Sequence, residues 1–186
     1  RDRFAELDLH SAVPRPPLPV AQHGSRTALH FEGVDWSYAM LWERIEEATR
    51  ALAGYGIARG ERVAFLGANH PDMIVLLMAL ARLGGILVPL NWRLTAVEHR
   101  TIVADCTPRL LVCDAEHAEP AKAAAQDLGC EVRVLGDRWH GEGPRPALPG
   151  TDADDVLIVY TSGTTGRPKG AVLTQTSAWW FRQLGD

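Results

Sequence analysis

Eleven consecutive residues, Tyr160-Thr161-Ser162-Gly163-Thr164-Thr165-Gly166-Arg167-Pro168-Lys169-Gly170, concentrate three glycines, four Ser/Thr hydroxyls and one lysine. Glycines let successive backbone N–H groups converge on an anion, hydroxyls add donors, and lysine adds a cation, so the chemistry on offer is phosphate binding. The stretch lies between two apolar runs, Val156-Leu157-Ile158-Val159 and Ala171-Val172-Leu173. A plain hairpin turn would also join two strands, but it needs neither eleven residues nor a lysine set beside the stiff Pro168. The spacing is not that of a nucleotide-triphosphatase P-loop, which requires G-x-x-x-x-G-K-[ST], whereas Gly166 here is followed by Arg167-Pro168-Lys169-Gly170. No G-x-G-x-x-G follows a strand, which leaves out the dinucleotide fingerprint.

The rest of the chain supplies elements to hold this loop. Pro14, Pro16, Pro17 and Pro19 exclude a helix near the N-terminus and favour an extended, exposed path. Thr27-Ala28-Leu29-His30-Phe31 reads as a strand turning at Glu32-Gly33. Ser37 caps a helix with Leu41, Ile45, Ala48 and Leu52 on its apolar stripe, stopped by Gly54 and Gly56. An alternation then begins. Residues 62–66 and 86–90 are apolar strands, and a helix between them starts at Asn69-His70-Pro71 and runs to Leu83. Thr95-Ala96-Val97-Glu98 is a capping box opening a helix to about Asp105. A strand at residues 109–113, a helix at 120–128 ended by Gly129, and a strand at 131–135 follow. Strand and helix alternating at this spacing predict an α/β fold with a largely parallel sheet. Residues 136–153, with four glycines and three prolines, read as a linker or surface loop before the strand at 155–160. Thr174 caps a helix carrying Trp179, Trp180 and Phe181, an aromatic cluster that reads as core or interface before an acyl pocket.

A net charge of −4 provides no basic stripe for nucleic acid. The longest apolar run, residues 73–81, is nine residues, against roughly 20 needed to span a bilayer. No signal-peptide region is evident after Arg1. Cys106, Cys113 and Cys130 are odd in number and lack C-x-x-C spacing, which points to reduced thiols in a cytoplasmic protein and not to a disulfide framework or zinc site. His70 reads as a helix-start residue and His99 as a solvated or capping group. No spacing supports a nucleophilic triad or a His-x-x-x-His metal pair.

The run from Tyr160 to Thr174 resembles the phosphate-binding signature of the adenylate-forming (AMP-binding) superfamily, which includes acyl- and aryl-CoA synthetases, luciferases and the adenylation domains of peptide synthetases. Leu83-Gly84-Gly85-Ile86-Leu87-Val88-Pro89-Leu90-Asn91-Trp92-Arg93-Leu94, Trp36-Ser37-Tyr38 and Asp105-Cys106-Thr107-Pro108-Arg109 resemble further segments of these enzymes. The likeness covers nearly all of residues 25–186, and its Pro-Leu-Asn-Trp-Arg-Leu wording is most similar to bacterial fatty-acyl-CoA synthetases. Gln175 departs from the pattern, since many relatives have His there.

The resemblance implies an ATP-dependent ligation in two steps. A carboxylate attacks the α-phosphate to give an acyl-adenylate and pyrophosphate, and the CoA thiol then displaces AMP. It implies that Thr161, Ser162, Gly163, Thr164, Thr165, Gly166 and Lys169 bind the ATP phosphates, with Mg²⁺ near Thr161 or Thr165. No catalytic residue is assigned. Partners are a small carboxylic acid, ATP and CoA, with self-association expected of exposed apolar surface and no nucleic acid. The family's later motifs, Tyr-Gly-x-Thr-Glu and Thr-Gly-Asp, are not found in these 186 residues. The expectation is the N-terminal portion of the large domain, without the small lid domain and inactive alone. Another adenylating enzyme (a fatty acyl-AMP ligase, an aryl-CoA ligase or an amino-acid adenylation domain) and a non-catalytic nucleotide-binding module are the alternatives.

Overall fold

A computed structural model describes residues 23–136, 139, 143, 150–161 and 168–177. Two sheets organise them. The smaller is an antiparallel hairpin of β1 (Thr27–Phe31) and β2 (Val34–Ser37). Its turn residues Glu32 and Gly33 both take positive φ, 48° and 79°, the twist a tight hairpin needs. Ser37 ends β2 and begins α1 (Tyr38–Gly54), its Oγ accepting the Met40 N–H at 3.2 Å. Two more free N–H groups of that first turn, those of Tyr38 and Ala39, donate to the carbonyls of Arg26 and Gly24.

The larger sheet contains β3 (Arg62–Leu66), β4 (Ile86–Leu90), β5 (Leu110–Cys113), β6 (Glu131–Val134), β7 (Asp155–Thr161) and β8 (Lys169–Thr174). Its order is β6-β5-β3-β4-β7-β8, parallel throughout except for the antiparallel β7–β8 pair. Between the strands run α2 (Pro71–Leu83), α3 (Ala96–Cys106) and α4 (Ala118–Ala125).

Successive residues of a strand face opposite ways, and here each face has its own core. Val63, Phe65, Leu87, Leu110 and Val112 pack with Ile45, Ala48 and Leu52 of α1 and Val75, Leu76, Ala79 and Leu80 of α2. Ala64, Leu66, Val88, Leu90, Leu111 and Cys113 pack with Ile102, Val103 and Cys106 of α3 and Ala121, Ala124 and Ala125 of α4. With both faces covered, β3 to β5 are almost continuously apolar.

The ends of the central elements match their sequence signals. His70 caps α2 by accepting the Asp72 N–H at 3.2 Å, Pro71 opens the helix, and Gly84 closes it at φ 70°. Thr95 and Glu98 form the reciprocal capping box of α3. Several boundaries differ from expectation: β6 stops one residue short of the expected 131–135, and β7 runs one residue past the expected 155–160. The helix expected at 120–128 is α4, which starts two residues earlier and ends three residues sooner; Gln126 is already extended (ψ 130°) and Asp127 has φ 59°. The strand at 109–113 begins at Leu110. Lys169, expected within the loop, is the first residue of β8. Most of the expected linker, the proline-rich start, and Trp179, Trp180 and Phe181 lie outside the described residues.

Candidate functional site

The chain leaving β3 goes to α2 on one face, and the chain leaving β4 goes to α3 on the other. Where neighbouring parallel strands send their connections to opposite faces, a crevice opens at their carboxyl ends. A cavity of about 310 Å³ lies there, lined by Phe65, Gly67, Asn69 and Met73 from the β3–α2 side, residues 89–94 from β4 and its loop, Ile102 of α3, and Val159 and Tyr160 of β7.

β7 delivers Thr161 to this edge. The β7–β8 register pairs Tyr160, which lines the crevice, with Gly170, and Thr161 with Lys169. Thr161 and Lys169, both exposed, are the two expected phosphate-site residues that the structure describes, and it places them opposite one another. Ser162, Gly163, Thr164, Thr165 and Gly166 lie outside the described residues. Gly170 is required by packing: a Cβ there would stand 2.8 Å from Ile158 Cγ2 and 3.2 Å from Tyr160 Cζ. The Tyr160 ring lies over that glycine, and its hydroxyl donates to Asp105 on α3. Burial, then that hydrogen bond, pushes the phenol well above its ordinary pKa.

The loop after β4 is held from within. Asn91 Oδ1 accepts the Arg93 N–H at 3.1 Å, and the Asn91 carbonyl accepts from Leu94 N–H and lies 2.9 Å from His99 Nε2. His99 is 2% exposed, so the expectation of a solvated group is corrected: it braces the crevice loop from inside α3. Trp92, held outward by this loop and 42% exposed, has the Arg93 guanidinium 4.1 Å from its ring centre and the His117 ring edge-on at 6.1 Å.

Asp114, just after β5, ties two loops of the rim together. Its Oδ2 accepts the Ala68 N–H at 2.9 Å, and its Oδ1 meets both the N–H and the ring Nδ1 of His117, at 2.9 and 2.6 Å. Burial works against the charge of Asp114, but the Ala68 and His117 donors outweigh it and hold the carboxyl below its ordinary pKa. Asn69, Asn91, Trp92, Asp114 and His99 were not singled out as site residues by sequence, because only the strand order shows that the ends of β3, β4, β5 and β7 share one rim.

Among the described residues no group of three His, Cys, Asp or Glu is placed to hold a metal ion. Nor is any helix there long and apolar enough to cross a membrane. Cys106, Cys113 and Cys130 are free thiols.

The described residues form a three-layer α/β sheet with a switch-point crevice at the carboxyl ends of its strands, beside the end of β7. Residues 19–184 match the AMP-binding enzyme family, and the chain belongs to that family. It is 37% identical over 169 residues to an indoleacetate–CoA ligase of Aromatoleum aromaticum, covering 83% of this chain and 33% of that protein. It is 40% identical over 156 residues to a feruloyl-CoA synthase of Amycolatopsis sp., covering 83% of this chain and 31% of that protein. The chain therefore spans about a third of the length of these curated relatives. Among solved structures, a Rhodopseudomonas palustris protein described as a long-chain-fatty-acid CoA ligase superposes with TM-score 0.75 at 28% identity, over 88% of this chain and 44% of that one.

Proposed function

We propose that this chain is the N-terminal, ATP-phosphate-holding portion of the large domain of an AMP-forming acid–thiol ligase. The reaction joins a small carboxylic acid with an apolar fatty or aryl body to CoA through an acyl-adenylate, releasing pyrophosphate and then AMP. The single observation that carries this reading is the β7–β8 hairpin, which sets Thr161 opposite Lys169 at the rim of the switch-point crevice.

In the first step negative charge builds on the departing pyrophosphate, so fixed donors aimed at the β- and γ-phosphates contribute most. Backbone amides around Gly163 and Gly166, the hydroxyls of Thr161, Ser162, Thr164 and Thr165, and the Lys169 ammonium supply them. Mg²⁺ enters as part of the ATP complex. The Thr161 hydroxyl is one hard oxygen donor for it, and the described residues add no carboxylate set around that position. No residue of this chain is assigned to adenine, ribose or the acid, so the proposal is confined to the phosphate end of ATP.

The test is acid-dependent exchange of labelled pyrophosphate into ATP by the complete protein, across a panel of fatty and aryl acids, followed by CoA-dependent release of AMP. Exchange with at least one acid and thioester formation with CoA are expected. Exchange without thioester formation would move the reading to an acyl-AMP ligase, and no exchange from a folded protein would overturn it.

A further inference from the structure

The β1–β2 hairpin and the first turn of α1 carry an apolar patch that neither core absorbs. Val34 and Trp36 lie two residues apart on β2 and so share a face, and Met40 stands in the first turn of α1. Val34 is 55% and Met40 47% exposed. Trp36, Met40, Glu43 and Arg44 line a groove of about 300 Å³. Arg44 is held there, its guanidinium 5.5 Å from the centre of the Trp36 ring and 3.7 Å from the buried Asp72 carboxylate. Glu43 is exposed at the same groove and has no ion pair among the described residues. An indole, a pliable thioether and an available carboxylate suit a polyproline II segment that carries a basic residue.

The same chain holds such a segment just upstream. Pro14-Arg15-Pro16-Pro17-Leu18-Pro19 has four prolines and one arginine. Its prolines fix φ near the polyproline II value, so little freedom remains to be lost on docking. The chain arrives beside the groove. The Gly24 carbonyl accepts the Ala39 N–H and the Arg26 carbonyl accepts the Tyr38 N–H, both at 3.0 Å, which pins Gly24 to the residue next to Met40. Pro19 is five residues before Gly24 and stays within about 18 Å of it. Glu43 is one turn, about 6 Å, along α1 from Ala39. A segment running against the direction of α1 can therefore bring Arg15 to Glu43 and its prolines to Met40 and Trp36.

We propose that residues 14–19 dock in this groove, with the prolines against Trp36 and Met40 and Arg15 on Glu43. The contact covers the patch and ties the N-terminal segment to the hairpin, independently of the phosphate-loop reading. A tether this short gives an effective concentration on the order of 1 mM, so a site of modest intrinsic affinity stays filled.

The experiment measures oxidation of Met40 by dilute hydrogen peroxide in the complete protein, read by peptide mass spectrometry, with Met73 and Met78 of α2 as internal references. A groove filled for about nine-tenths of the time slows that oxidation about tenfold. Arg15→Glu and Glu43→Arg each bring like charges together and should speed it by up to about fivefold, the range of one exposed ion pair. The double variant Arg15→Glu/Glu43→Arg should return to the wild-type rate. Deleting residues 1–20 should release the full protection, about tenfold, and a synthetic peptide of residues 13–20 at about 1 mM should restore it. The rates at Met73 and Met78 should not move in any variant. Equal oxidation of Met40 with and without residues 1–20, or single charge reversals that the double variant does not rescue, would overturn the proposal. Protection of Met40 in the deletion variant that grows with protein concentration would also overturn it, by making a second copy of the chain the occupant.

Discussion

Lys169 stands opposite Thr161 in the β7–β8 ladder, as the last register pair before the chain enters residues 162–167. The ladder thereby sets the backbone positions of both residues.

Lys169→Ala in the complete protein should accordingly lower kcat/KM for ATP by roughly 10- to 150-fold, the equivalent of one charged hydrogen bond of about 1.5–3 kcal/mol. Its exposure means that thermal stability should change by no more than about 0.5 kcal/mol, and Lys169→Arg should recover part of the activity. Steady-state kinetics beside a thermal melt check this. Unchanged ATP kinetics would remove Lys169 from the site.

The rim can be tested separately from the loop. A Cβ at Gly67 would stand 2.7 Å from Asp114 Oδ2 and 3.1 Å from Phe65 Cζ, so Gly67→Ala must push the Asp114 carboxylate off the Ala68 N–H. Asp114→Asn weakens the same bonds by removing the charge. Each should destabilise by about 1–3 kcal/mol, and the double variant should lose clearly less than the sum, since both act through one interaction. Additive losses in denaturant titrations would show that Gly67 acts elsewhere. Because the folded Asp114 has a lowered pKa, its stabilisation is present above the ordinary carboxylate range and fades as pH falls through the folded value. The acid limb of the stability profile should therefore flatten in Asp114→Asn.

Much of the framework was legible because local signals agreed with the tertiary arrangement. The apolar runs of β3 and β4 have the predicted bounds, and Ser37, Pro71 and the Thr95–Glu98 box open α1, α2 and α3 where their side chains announce it. α4 was misjudged because His117 makes no side-chain cap and the alanine-rich run carries no stop at Ala125. His99 was misread because a lone polar residue in a short helix gives no periodic sign of burial. Its hydrogen-bond partner is the carbonyl of Asn91, eight residues away on the crevice loop. The run 160–170 stands out by its composition and its resemblance to the family signature, whereas the crevice at the end of β7 depends on a strand order that no local pattern encodes. Gln175 shows the same limit: its partner Ala81 is 94 residues distant.

His99 offers a direct measure of how far the crevice loop depends on α3. His99→Ala should cost about 2–3 kcal/mol, chiefly from the space left by a fully buried ring, with the loss of one of the two hydrogen bonds to the Asn91 carbonyl added. For a chain of this size that is a fall of roughly 4–12 °C in Tm. His99→Gln, which can still donate to Asn91, should recover part of it. A loss below about 0.5 kcal/mol would mean the loop is held by Asn91 and Leu94 without it.

The three thiols link stability to alkaline pH. Burial, aided by the neighbouring Asp105 carboxylate, pushes Cys106 up to about 12. Burial with Asp114 beside it pushes Cys113 up to about 11, and burial with Glu131 pushes Cys130 up to about 11. An unfolded thiol titrates near 8.5, so between that value and the folded ones the native state keeps protons that the unfolded chain has lost. A folded pKa above the unfolded one gives a contribution that is complete below pH 8.5 and is lost as pH rises toward 11 or 12. For the buried Cys106 and Cys113 the slope is roughly 1.4 kcal/mol per pH unit each. Denaturant midpoints should fall steeply from about pH 9 upward, and Cys113→Ala should make that fall shallower by about one thiol's share. At pH 8 iodoacetamide should label the native protein slowly and reach all three cysteines only after unfolding. Rapid native labelling at Cys106 or Cys113, or an alkaline limb unchanged in Cys113→Ala, would show that these thiols are not buried as the two-faced core places them.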